Sequence, residues 1–265
     1  MLAHRLAEIH SNFGIYSESQ INGNVDFHIV SDLEQVPELN YLVDFYEAYF
    51  QHYKKAMDPS RNYWSFKRDN IARSVDLPFI GRKVVEQGKA EYIFVFKGSL
   101  QKEEKLSMTV LSCFWIFEDV QPYQSFFDRY WPNTKNYDLL VRNLGITRDI
   151  AERSYVTDFA RVANHRGIRD MKKCKELLMD EIHLLNPQLV ILVGSEPRDA
   201  FSHELRLHPE KYMSVPFSLK LTFRTLTRSK QRIFYLVFQN NFLTNTTSDG
   251  NPFFTIAGRS VSRYT

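Results

Sequence analysis

The sequence predicts an α/β fold: a three-layer sandwich with a central four-stranded, mainly parallel sheet flanked by helices, preceded by a mostly helical extension. Three observations lead there. The run LVILV at 189–193 is apolar without alternation, as expected of a strand covered on both faces, and it stops at Gly194-Ser195, where a helix can begin. A second strand-like run, YVTDFARV at 155–162, precedes it. Between the two lies KKCKELLMDEIHLLNP, whose apolar residues recur at helical spacing. Strand, helix, strand in that order is the repeating unit of a parallel sheet.

Residues 1–88 read as the helical extension packed on the core, and 89–265 as the α/β domain. Within the first, Pro37 to Ala56 carries Leu39, Leu42, Val43, Phe45, Tyr46, Tyr49, Phe50 and Tyr53 close to a helical period, which predicts a helix with an aromatic face. Pro59, Pro78 and Gly81 then interrupt the pattern. Ala90–Lys97 and Leu106–Phe117 are strand-like, and the charged turn GSLQKEEK between them predicts a hairpin. The second strand runs into a polar, proline-containing loop, FEDVQPYQ at 117–124, the kind of place where chemistry tends to sit. Asn136–Leu144 has helical spacing in Leu139, Leu140 and Leu144, with Gly145 as its stop. After the strand at Tyr155, the helix Met171–Leu185 and the strand at Leu189 come a helix following Glu196 and a last strand, RIFYLVF, ending at Gln239, Asn240 and Asn241. Strands and helices thus alternate from Leu106 onward, so that four parallel strands are expected.

A chain of 265 residues with 43% hydrophobic content can bury a full core, as one large domain or one domain with an extension. Its net charge of +3 is too small to argue for nucleic acid, but the distribution is uneven. From Pro216 to Thr265 there are seven Lys/Arg, among them Arg224, Arg228 and Lys230, against the single acid Asp249. Lys54, Lys55, Arg61, Lys67, Arg68 and Arg73 interleave with Tyr53, Tyr63, Trp64 and Phe66. Basic residues among aromatics suit a phosphate backbone and unstacked bases; a solvated face with core aromatics is the competing reading. Cys113 and Cys174 alone make neither a four-thiolate metal site nor a disulfide framework. No run has the length of a membrane span and no signal-peptide core is seen, so the expectation is a soluble, cytoplasmic protein without membrane association.

Ligands of parallel α/β sheets sit outside the carboxyl ends of the strands. Those ends deliver Glu118 to Tyr123, Thr157-Asp158, Gly194-Ser195-Glu196 and Gln239-Asn240-Asn241. They hold carboxylates, amides and hydroxyls but no histidine, which argues against a Ser/His/Asp or Cys/His hydrolase. His165, His183, His203 and His208 fall in helix patterns or a linker and read as structural. The turn at Gly194 lacks the spaced glycines and lysine of a phosphate-binding loop.

The order FEDVQPYQ, YVTDFARV, LVILVG and YLVFQNN, spanning about Leu106 to Thr244, resembles the uracil-DNA glycosylase superfamily. Its members end one strand in Gly-x-Asp-Pro-Tyr or Gly-Glu-x-Pro-Gly, a second in Thr-Asn or Leu-Asn, a third in a run like PKLIVLLG, and the last in His-Pro-Ser. CKELLMDEIHLLNPQLVILVG is the most specific piece, and it is scaffold. Pro122-Tyr123 matches the family's Pro-Tyr, which puts Gln121 where many members have the water-positioning Asp or Asn, with Asp119 two residues earlier. Gln239-Asn240-Asn241 stands in place of His-Pro-Ser, and Asp158 in place of the Asn that reads the pyrimidine edge. An amide both donates and accepts, as uracil requires; an ionised Asp only accepts, which suits the exocyclic amino group of cytosine.

The resemblance therefore implies a DNA glycosylase for a cytosine-type, modified base, similar to bacterial anti-phage glycosylases, acting without cofactor or metal on phage or modified DNA. The catalytic candidates are Asp119 or Gln121, to hold water beneath the sugar, and Asn240 or Gln239, to donate to the departing base. Base-binding candidates are Asp158, Tyr123, Phe127 and Trp131, with Gln239. Contacts to DNA are expected from Ser195, Arg198, Arg224, Arg228 and Lys230, with Phe242 and Leu243 as a wedge in the duplex. For each aromatic, core packing is the competing role. An inactive nucleic-acid-binding member, and a nucleoside or nucleotide hydrolase on the same fold, are the alternatives.

Overall fold

A computed structural model describes residues 1–16, 34, 36–58, 76–98, 147–161 and 171–215 and, as backbone strands, 107–108, 221–228, 231–238, 244–246, 252–256 and 259–261. The element order is α1 (Leu2–Phe13), a 3₁₀ turn (Pro37–Leu39), α2 (Tyr41–Ala56), β1 (Asp76–Leu77), β2 (Phe79–Ile80), α3 (Arg82–Gln87), β3 (Tyr92–Gly98), β4 (Ser107–Met108), α4 (Arg148–Glu152), β5 (Ser154–Ala160), α5 (Met171–Leu185), β6 (Leu189–Val193), α6 (Ser195–Ala200), α7 (Ser202–Leu207) and β7 (Tyr212–Val215). Further strands follow: β8 (Leu221–Arg228), β9 (Gln231–Phe238), β10 (Thr244–Thr246), β11 (Pro252–Ile256) and β12 (Arg259–Val261).

The central sheet has five strands in the order β2-β5-β3-β6-β7. β5, β3, β6 and β7 are mutually parallel, and β2 joins the outer edge of β5 antiparallel. Every residue of β5 is buried, and so are Val190 to Val193 of β6, which is why these strands carry unbroken apolar runs. The 15 residues of α5 at about 1.5 Å each retrace about 22 Å. That matches the roughly 23 Å of the seven-residue β5 at about 3.3 Å per residue, so one helix returns the chain to the start of the next parallel strand. Asn186 in the left-handed region (φ 43°) and Pro187 end α5.

α5 buries Cys174, Leu177, Leu178, Glu181, Ile182 and Leu185. It packs on β5 and on α1, and α1 in turn packs on α2. The aromatic face of α2 is core: Tyr46, Tyr49, Phe50 and Tyr53 are fully buried, with Tyr49 and Phe50 meeting edge to face at 5.1 Å. Tyr53 therefore cannot stack on a base, and its hydroxyl instead accepts from the Tyr16 amide at 3.1 Å. α6 lies on β3 and β6, and α7 on β7. Gly81, between β2 and α3, is required by close approach: a Cβ there would lie 2.3 Å from the Ala151 carbonyl oxygen.

The α/β class and a sheet flanked by helices are as expected, but the strand membership differs in three places. The fourth parallel strand is YMSV at 212–215, a four-residue edge strand too short to show as an apolar run. RIFYLVF instead pairs antiparallel with LTFRTLTR, with Arg228 opposite Gln231. A tight turn can join antiparallel strands, whereas a parallel crossover needs a dozen or more residues. Among the described residues the expected hairpin of 90–97 with 106–117 is not formed: β3 is bonded on one edge to β5 and on the other to β6, and 107–108 pairs with β1. The third difference is β2: it belongs to the central sheet although it lies before residue 88.

Candidate functional site

In sequence order the parallel strands are β3, β5, β6 and β7, but in space they stand β5-β3-β6-β7. The chain leaves β3 toward one side and β6 toward the other, so the carboxyl ends of β3 and β6 flank a topological switch point, the place where open α/β sheets form a ligand crevice. Lys97 is the last residue but one of β3, and Glu196 lies in the first turn of α6 just past β6. Their side chains form a part-exposed ion pair at 3.2 Å across the two strand ends. Gly194 makes the turn between β6 and α6 with φ 94° and ψ −178°, a conformation confined essentially to glycine, while its amide donates to Val215 at 2.9 Å. The space around it is open, with no atom within 4 Å of where a Cβ would stand.

β5 delivers Thr157 and Asp158 beside this point. Asp158 is in register with Phe96, the residue before Lys97, and is only 6% exposed. Side chains alternate across a strand, and Tyr155 reaches Glu181 of α5, so Asp158 lies on the opposite face of the sheet from α5. When ionised, such a carboxylate only accepts hydrogen bonds.

Of the other residues picked from the sequence, Ser195 and Arg198 are exposed on α6, and Arg198 pairs with Asp199 at 2.8 Å. Arg224 and Arg228 fall on β8, opposite Tyr235 and Gln231. Asp119, Gln121, Tyr123, Phe127, Trp131, Lys230, Gln239, Asn240, Phe242 and Leu243 lie outside the described residues, as do Cys113, Tyr63, Trp64 and Phe66. β9, which leads to Gln239, pairs antiparallel with β8 and is not hydrogen-bonded to the parallel sheet. His183, His203 and His208 are on the surface.

The sequence reading passed over a buried polar cluster. Glu181 Oε1 accepts from His10 Nε2 at 2.7 Å, from the Tyr155 hydroxyl at 2.8 Å and from Arg161 Nη2. Arg161 also donates to the Tyr155 hydroxyl at 3.2 Å, and His10 Nδ1 meets the Tyr49 hydroxyl at 2.6 Å. His10, Arg161 and Glu181 are all buried to within 1%. Burial pushes the Glu181 carboxyl up, yet the Arg161 charge and the hydrogen bond from His10 outweigh it and hold the group below its ordinary value. Burial lowers His10, against the Glu181 hydrogen bond and charge, so its imidazole is neutral near pH 7. The network then fixes the tautomer: Nε2–H donates to the carboxylate and Nδ1 accepts from Tyr49. The ionic pair is Arg161 with Glu181. Tyr49 and Tyr155 are both pushed well above the phenol range, by burial first and then by Tyr16 for Tyr49 and by Glu181 for Tyr155. A signal was present in the sequence: His10 and Glu181 occupy apolar-stripe positions of α1 and α5, and Arg161 follows a wholly buried strand.

Two open depressions flank α5, one of about 360 Å³ lined by Arg5, Glu8, Asn12 and His183, the other of about 530 Å³ lined by Phe13, Lys172, Lys175 and Met179. Both belong to the helical layer on the face away from Asp158. Among the described residues no group of three or more His, Cys, Asp or Glu could hold a metal ion, and no helix is long and apolar enough to cross a membrane. No family model and no curated protein matches the sequence.

Proposed function

We propose that this chain is a DNA glycosylase that everts a cytosine-type, modified base and hydrolyses its N-glycosidic bond, leaving an abasic site. The observation that carries the reading is Asp158, a near-buried carboxylate at the carboxyl end of β5, one strand from the switch point between β3 and β6. It stands where the glycosylases that the sequence resembles use an amide, and as an acceptor it suits the amino edge of cytosine. In the reaction a water oxygen bonds to C1′ as the C1′–N bond breaks; the electron pair leaves with the base, and the water proton passes to a base or to solvent. Asp119 or Gln121 holds that water and offsets the charge on the sugar, and Asn240 or Gln239 donates to the leaving base. Losing one preorganised donor of this kind costs on the order of 10²–10³ in rate.

A second reading, DNA binding without base release, draws on Gln239-Asn240-Asn241, which lack the imidazole of His-Pro-Ser. One experiment separates them. Purified protein is incubated with DNAs carrying uracil, cytosine and virus-type modified cytosines, and alkali-labile sites and the mass of the released base are measured. Release of a cytosine-type base supports the glycosylase. Salt-sensitive binding without release supports the second reading, and release only from free nucleosides overturns both.

A further inference from the structure

Glu181 grips β5 at two points, the Tyr155 hydroxyl three residues before Asp158 and Arg161 three residues after it. Its third donor, His10, ties the same oxygen to α1, and through Tyr49 to α2. We infer that Glu181 is a positioning residue: with His10, Tyr155 and Arg161 it sets the conformation of the β5 end that presents Asp158, so that α1 and α2 buttress the base-reading site. The inference rests on the glycosylase reading only in taking Asp158 as the base-reading group.

Three observations support a positioning role over a purely stabilising one. A buried ion pair is a poor source of stability, since well-packed apolar residues in its place are often equal or better; its better-attested use is to fix one geometry among several. All three donors converge on one carboxylate oxygen, and among the described residues Oε2 has no partner, so the group is arranged around where its donors must stand. The members of the cluster also come from four separate elements, α1, α2, α5 and the β5 strand with the residue that follows it, while the clamped stretch 155–161 spans both Thr157 and Asp158. A displaced strand end moves Asp158 with it, and misplacement by about 1 Å can cost on the order of 10²-fold in rate.

The test uses the full chain and the variant Glu181→Gln. Amide hydrogen exchange and the carboxyl ¹³C resonance of Asp158 are recorded, together with kcat and KM on cytosine-type and uracil-type DNAs. The inference predicts faster exchange confined to residues 157–160, a shifted Asp158 resonance, and loss of cytosine preference through kcat. Exchange that rises evenly over β3, β5 and β6, or an unmoved Asp158 resonance, overturns it. If Glu181→Gln does not fold, Tyr155→Phe and His10→Gln each remove one arm, and an unmoved resonance in both is equally decisive. Should the wild-type chain release no base, the functional reading falls, while exchange and the resonance still decide the positioning role.

Discussion

Removing Arg161 leaves the Glu181 carboxylate in the core without its cation, and the structure sets the cost. Both side chains are 1% exposed, so water does not replace the lost partner. Breaking a buried pair from one side typically costs about 3–5 kcal/mol, and for a chain of this size that corresponds to roughly 6–20 °C in Tm. The Arg161→Met protein should lose this much at pH 7.5, read by urea unfolding. The loss should shrink at pH 5.5. In the wild-type chain Arg161 is one of the influences that lower His10, so without it the imidazole takes up a proton more readily and supplies the missing positive charge to Glu181. Combining Arg161→Met with Glu181→Leu removes both charges and should restore most of the stability, because neither ion is then stranded. A single variant that loses less than about 1 kcal/mol, or a double variant no more stable than the single, would show that this pair is not a buried ionic unit.

Stability of the wild-type chain should fall as pH drops below about 6.5. His10 is depressed when folded, so between its folded value and 6.5 the unfolded chain binds more protons; Glu181, also depressed, adds a loss as pH falls below 4.5 through its own folded value. His10→Gln should flatten the upper part of that profile in urea titrations at several pH values, and an unchanged slope would assign it to other groups. Asp158→Asn should move base preference from cytosine-type toward uracil-type DNA, and an unmoved spectrum would remove Asp158 from base reading. Gly81→Ala should destabilise by about 1–3 kcal/mol, since its methyl group would meet the backbone oxygens of Ala151 and Glu152 at 2.3 and 2.4 Å. Gly194→Ala should cost about 1–3 kcal/mol for a different reason, backbone strain at φ 94° despite open space, and equal stability in thermal melts would contradict that.

The parts of the fold legible in the sequence are those that one element dictates alone. Met171–Leu185 and the runs at 154–160 and 189–193 carry their own periodicity, length and stops, and they stand where the pattern puts them. Strand pairing is a property of two segments at once, and there the pattern misleads. β3 reads like a hairpin strand because a charged turn follows it, but its edges are claimed by β5 and β6, which come much later in the chain. RIFYLVF is as apolar as a central strand, yet the matching run LTFRTLTR just before it offers a nearer, antiparallel partner. For the candidate site, Asp158 stands out in the sequence as a polar residue near the end of an apolar strand. His10, Arg161 and Glu181 do not, because each reads as an isolated polar residue until the fold brings α1, β5 and α5 together.

The proposed function turns on Asp158 reading an everted base beside the β3–β6 switch point. A crystal structure of the protein with an oligonucleotide carrying a modified cytosine and a non-hydrolysable sugar tests it most directly. The expected result is the base turned out of the helix with its exocyclic amino nitrogen about 2.7–3.2 Å from an Asp158 oxygen. A base lodged elsewhere, or a DNA strand that never reaches the carboxyl ends of β3, β5 and β6, would contradict it.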